Sequence, residues 1–119
     1  MNTSNHIPTI DIEVFNDLLS ILEDGFYELL EDFINDTPTQ LECLDSAIKL
    51  NDFKQIFNIG HSQGGATGNI GLAKYADLNH RLCVQAKEGD IQECRALTNA
   101  LNANYEECKR LLTEKLNNR

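Results

Sequence analysis

The sequence predicts an all-α protein, an antiparallel up-and-down four-helix bundle with a short additional helix at the N-terminus. Three observations predict it. Apolar residues recur at three- and four-residue spacing along almost the whole chain. The period-2 alternation of a strand is confined to Ile10-Asp11-Ile12-Glu13-Val14. The breaks between periodic segments are brief and polar, as short bundle loops require.

Phe15, Leu18, Leu19 and Leu22 form the apolar stripe of a short first helix, expected to end near Gly25. A second stripe runs through Phe26, Leu29, Leu30, Phe33, Ile34, Thr37, Leu41, Leu44 and Ile48, about six helical turns. Pro38 lies inside it, and because the stripe resumes in phase at Leu41, a kink is expected rather than an end. Asn51-Asp52 breaks the pattern, and Asp52 with Gln55 has the spacing of a helix N-cap pair. Phe53, Ile56 and Phe57 open a third helix that continues to about Gly71. Leu72, Tyr75, Asn79, Leu82 and Ala86 define a fourth. Glu88-Gly89-Asp90 is the sharpest turn signal, and Asp90-Ile91-Gln92-Glu93 reads as a capping box. The last stripe, Cys94, Leu97, Leu101, Tyr105, Cys108 and Leu112, makes a long helix that runs into a polar tail at 117–119. The 119 residues have room for one core and one domain, 1–119, with 1–8 expected to be flexible.

Charge narrows the function. Ten basic against nineteen acidic residues give a formal net charge of −9, which argues against nucleic acid or an anionic membrane surface as the partner. No apolar run approaches the roughly 18 residues of a membrane span, and Met1-Asn2-Thr3-Ser4-Asn5-His6 has no basic, apolar leader, so a cytoplasmic protein is expected. Cys43, Cys83, Cys94 and Cys108 show no metal-finger spacing. On one helix, Cys94 and Cys108 stand about 21 Å apart, too far to bridge. All four are read as small buried hydrophobes in a reducing compartment.

Five of the seven glycines fall in Gly60-His61-Ser62-Gln63-Gly64-Gly65-Ala66-Thr67-Gly68-Asn69-Ile70-Gly71. Each glycine in a helix forgoes roughly 0.5–1 kcal/mol relative to alanine, so the cluster needs a reason: close helix packing, or close approach by a partner. A helical wheel with Phe53 at zero gathers Phe53, Ile56, Phe57, Gly60, Gly64, Thr67 and Gly71 within about 60° on the core side. His61 lies at the edge of that face, with Gly65 and Gly68 flanking it on a more open strip. Gln63 and Gly64, adjacent in sequence, join Gly65 and Gly68 as the expected surface of partner approach. The glycines are not a nucleotide loop, because no Lys-Ser/Thr follows them and no G-x-G-x-x-G is present. Of the other histidines, His6 belongs to the terminus and His80 to the polar side of its helix.

The glycine-rich stretch resembles the histidine-containing phosphotransfer (HPt) domain of two-component phosphorelays. That family's motif reads His-x-Leu-Lys-Gly-Ser/Ala-Ser/Ala-x-x-Leu-Gly, nine residues after an Asp that opens the helix. Asp52 stands nine residues before His61, and Gly65, Ala66, Thr67, Ile70 and Gly71 match position by position. Thr37-Pro38 in the long second helix, Gly89-Asp90 and the long last helix are similar too. Two positions depart: Gln63 replaces the leucine, and Gly64 replaces a lysine that helps hold the phosphoryl group by charge.

The resemblance implies that His61 is a phosphorylated nucleophile relaying a phosphoryl group between receiver-domain aspartates. It implies partners too: response-regulator receiver domains and a hybrid sensor histidine kinase. Ile12, Phe15 and Leu19 would dock, and the domain would act as a monomer. The receiver supplies Mg²⁺, so the domain needs no cofactor of its own and no metal site. With no P-loop or kinase signature, autonomous ATP-dependent kinase activity is not expected. A side chain between Asn79 and Cys83 is expected to orient the imidazole. Gly64 invites an alternative, an interaction module of the same fold with impaired or no phosphotransfer. A di-iron bundle needs two Glu-x-x-His pairs, and the sequence offers only Asp77-x-x-His80.

Overall fold

The computed structural model describes residues 6–119. Five helices follow one another: α1 Ile12–Leu22, α2 Asp24–Lys49, α3 Phe53–Asn69, α4 Ala73–Glu88 and α5 Ile91–Asn117. Helices α2 to α5 close a four-helix bundle, each packing on its neighbours and α5 returning to α2. The connections of two or three residues allow only antiparallel neighbours. α1 packs on α2, its Phe15 ring set edge-on to Phe26 with centroids 4.7 Å apart. It lies at the end of the bundle where α3 turns into α4, because the Asp11 N–H donates to the Gly71 carbonyl at 2.8 Å. Leu30, Leu44, Ile56, Leu72, Leu82 and Leu101 are among the fully buried side chains that fill the core.

The caps read from sequence form. Asp52 accepts from the Gln55 N–H at 3.1 Å and opens α3; Asp90 accepts from the Glu93 N–H at 3.1 Å and opens α5. Gly89 ends α4 in the left-handed region at φ +72°, where glycine carries no Cβ penalty. Pro38 sits within an unbroken α2. Its missing N–H would leave the Ile34 carbonyl, four residues earlier, without a helical donor. Tyr105 of α5 supplies one instead, its hydroxyl donating to that carbonyl at 2.6 Å.

Four expectations are corrected. The break between the first two helices is at Glu23 (φ +53°), not near Gly25, which lies inside α2. The alternation Ile10–Val14 is a helix start: Asp11 caps α1 by accepting from the Val14 N–H at 3.2 Å. α3 stops at Asn69, and Gly71, at φ +85°, makes the turn into α4 rather than sharing the core face of α3. The cysteines divide: Cys94 and Cys108 are buried, Cys83 is half-buried and Cys43 is exposed on α2. All four are free thiols. At the N-terminus, residues 1–5 of the expected flexible segment lie outside the described residues. Pro8, however, is tied to the bundle, its carbonyl accepting from the Lys74 N–H at 3.1 Å. At the other end, Arg119 reaches Glu31 at 2.9 Å. No described helix is long and apolar enough to cross a membrane.

Candidate functional site around His61

α3 presents three surfaces. Its inner face is Ile56, Ile59, Gly60, Gln63, Gly64 and Thr67, all buried. Phe53 and Phe57, placed in the core by the wheel, are only half-buried, because Ile59 and Gln63 move the inward direction away from them. One flank lies against α4, and the outer face is open. His61 is on the outer face, at its α4 edge, and is exposed.

The glycines differ by surface. A Cβ at Gly60 would stand 3.0 Å from the Cys83 sulfur and 3.2 Å from the Asn79 carbonyl oxygen, so this glycine serves close packing of α3 on α4. At Gly64 a Cβ would meet the His80 ring, with Cε1 at 3.2 Å. At Gly65 it would meet nothing within 4 Å, and at Gly68 only the Ala76 Cβ at an ordinary 3.6 Å. Gly65 and Gly68 are exposed, one and two turns beyond His61, and leave a strip of bare backbone beside it.

Gln63 and Gly64 do not belong to that strip. Gln63 is 6% exposed, its Oε1 accepting from the Tyr75 hydroxyl at 2.8 Å, and Gly64 is buried against α4. Tyr75 is itself buried, and burial raises its phenol well above the usual range. A glutamine where a leucine is expected therefore reads as a core hydrogen bond.

The His61 ring stacks on Phe57, one turn earlier, with centroids 5.8 Å apart and planes 7° from parallel. The Lys87 ammonium of α4 lies over the same Phe57 ring, 5.0 Å from its centroid. Asn79 cannot be the side chain that orients the imidazole. It is fully buried, and its amide donates to the Tyr75 carbonyl at 3.0 Å. Cys83 points its thiol at the Phe57 carbonyl, 3.5 Å away, and burial raises its pKa despite the lowering influence of Lys87. His80 is exposed, as the sequence indicates, but its ring covers Gly64, a contact the sequence does not reveal.

The expected docking residues separate. Ile12 is exposed (54%), whereas Phe15 is 2% exposed and belongs to the core, and Leu19 is half-buried against it. Exposed apolar surface appears instead at Val14, Ile21 and Leu22 of α1 and Leu29 of α2. Sequence periodicity does not separate these from the core residues, because the apolar face of α1 opposite Glu13, Asn16, Asp17 and Ser20 is wide, and which part of it faces inward depends on tertiary packing. Beside the glycine strip, Leu29, Phe33, Ala66 and Ile70 line a groove between α2 and α3 with Asp32 and Asp36 at its edge. Among the described residues, no three His, Cys, Asp or Glu side chains come together as a metal-ligand set.

A bundle of this topology, presenting a solvent-facing histidine beside bare helix backbone, is the architecture of a histidine phosphotransfer domain. A scan of protein families matches the Hpt domain over residues 28–111, and the chain belongs to that family, which serves histidine phosphotransfer in two-component phosphorelays. Among solved structures, the histidine-containing phosphotransfer protein B (HptB) from Pseudomonas aeruginosa PAO1 shares the fold. It superposes with a TM-score of 0.90 at 24% identity, over 94% of this chain and 97% of that one. A search of curated proteins finds no match to the sequence.

Proposed function

We propose that His61 accepts a phosphoryl group from the aspartyl phosphate of a response-regulator receiver domain and passes it to a second receiver. The observation that carries this reading is the exposed His61 imidazole beside Gly65 and Gly68, where no side chain stands in a partner's way. The unprotonated ring nitrogen attacks phosphorus with its lone pair, forming the N–P bond. The bond from phosphorus to the acyl oxygen breaks, and the receiver aspartate leaves as a carboxylate with that electron pair. The proton on the other ring nitrogen stays until the phosphoryl group moves on. Onward transfer is the same exchange in reverse, on a different aspartate.

Such a transfer is mostly positioning and charge neutralisation. In this reading the receiver brings the Mg²⁺ and a lysine, and this domain brings the nucleophile, a flat approach and a docking surface without a cofactor of its own. Ile12, Val14 and Leu29 supply apolar contact area near the Gly71 end of α3, about 15 Å along the helix from His61, and Ile21 and Leu22 extend it along α1. A hybrid sensor kinase is the upstream source, and the protein works as a cytoplasmic monomer with its cysteines reduced.

Gly64, buried where the family pattern has a lysine, favours a second reading in which the domain docks without efficient transfer. One experiment separates the two. A receiver domain carrying labelled aspartyl phosphate is mixed with the wild type and with His61→Gln, and the label is followed. Transfer predicts labelling of the wild type and none of the variant. Receiver binding without labelling of either protein supports the docking module.

A further inference from the structure

α3 carries no cation beside His61 on its outer face, yet the arriving phosphoryl group brings about two negative charges to a chain already at −9. The neighbouring helix has basic side chains on both sides of the site. Lys87 lies toward the start of α3, over the Phe57 ring on which His61 stacks. His80 lies toward its end, its imidazole over Gly64, one turn after His61. Neighbouring Cβ positions one turn apart on a helix are about 5–6 Å from one another. The His80 ring, 3.2 Å from the Cβ position of residue 64, is therefore within reach of a phosphoryl group borne on a rotated His61 ring. Gly64 is what makes room for it, since any side chain there would press on that ring.

We infer that His80 of α4 is a hydrogen-bonding, basic clamp for the phosphoryl group on His61, and that Gly64 is kept bare to seat it. The inference rests on His61 being the phosphorylated residue. The charged and titratable groups around His80 are few. α3 presents His61 and, two turns earlier, Lys54; α4 presents Asp77 one turn before His80, Arg81, the Cys83 thiol and Lys87. Asp77 has a buried carboxylate oxygen without a partner, and no ion pair with His80 competes for the ring.

The clamp lengthens the life of the phosphohistidine. Loss of the phosphoryl group passes through a loose transition state in which that group carries less negative charge than before, so a neighbouring cation stabilises the ground state more. For a solvent-exposed pair the effect is about three- to fivefold.

The test uses the full-length protein phosphorylated by a receiver, with the site mapped to His61 before any lifetime is measured. Phosphohistidine half-lives of the wild type, His80→Gln and His80→Lys are then compared near neutral pH. The wild type is expected to outlive His80→Gln by about three- to fivefold. His80→Lys is expected to restore the long lifetime. Equal lifetimes for the wild type and His80→Gln overturn the clamp while leaving His61 in place. Label mapped to any residue other than His61 overturns the phosphotransfer reading and the clamp together.

Discussion

Gly60 and Gly65 stand little more than one turn apart on α3 yet face opposite surroundings, so the same substitution has opposite effects. An alanine Cβ at Gly65 meets nothing within 4 Å, and the residue is exposed in the interior of a helix. Gly65→Ala therefore gains the full difference in helix propensity, about 0.5–1 kcal/mol, which for a domain of this size raises the melting temperature by about 2–5 °C. At Gly60 the new methyl would stand 3.0 Å from the Cys83 sulfur and 3.2 Å from the backbone oxygen of Asn79. α3 and α4 must then move apart, at a cost of about 1–3 kcal/mol that exceeds the propensity gain. Gly65→Gln should also fold well, because its side chain projects into solvent. Transfer should go the other way: slowed by Gly65→Ala and far more by Gly65→Gln, whose side chain fills the space a receiver must enter. Thermal melts paired with rates of label transfer from a phosphorylated receiver make the comparison. A Gly65→Gln protein that unfolds, or one that is stable and transfers at the wild-type rate, would refute the claim that bare backbone at Gly65 serves partner approach.

Four further outcomes follow from the fold. Tyr105→Phe should cost about 1–2 kcal/mol by leaving the Ile34 carbonyl without a donor. Most of that cost should disappear when Pro38→Ala restores the helical N–H, so strictly additive urea-melt energies would contradict the link. Glu23→Gly should stabilise by about 0.5–1 kcal/mol, because φ +53° suits glycine and strains glutamate; a lower melting temperature would contradict it. Burial and the Glu107 charge push the Cys108 thiol up from 9.0 to about 12, so the folded chain keeps a proton that the unfolded chain loses. Its stabilisation is complete below pH 9.0 and is lost as pH rises towards 12, with Cys94 and Tyr105 raised in the same sense. Urea midpoints should fall from about pH 8 to about pH 10.5, and less steeply in Cys108→Ala. A thiol reagent should meanwhile modify Cys43 in the native protein and Cys94 and Cys108 only after unfolding.

The helices were legible because each depends on local signals: 3.6-residue periodicity and side-chain caps at Asp52 and Asp90. The break at Glu23 was not, since Gly25 carries the composition of a turn while Glu23 adopts its backbone angles. At the site, the sequence puts His61, Gly65 and Gly68 on the open side of α3, where the structure also has them, because the apolar stripe sets the rotation of the helix. It misplaces Gln63, because a glutamine reads as solvent-facing until the Tyr75 hydroxyl, twelve residues on, provides a buried partner. Phe15 fails as a docking residue for a related reason. Opposite the polar face of Glu13, Asn16, Asp17 and Ser20, the apolar face of α1 is wide, and contact with Phe26 decides which part of it is core. The pairing of Gly64 with His80 joins two helices, and no pattern within either helix signals it.

The central claim is that the phosphoryl group is carried on His61. Its most direct test is to locate the group by tandem mass spectrometry, with digestion and separation kept near neutral pH to preserve an acid-labile bond, after brief mixing with a phosphorylated receiver domain. The account predicts a phosphorylated peptide spanning Gly60-His61-Ser62 with the modification on the His61 ring, and its disappearance in His61→Gln. Phosphate found on His80 or His6, or retained in His61→Gln, would contradict it.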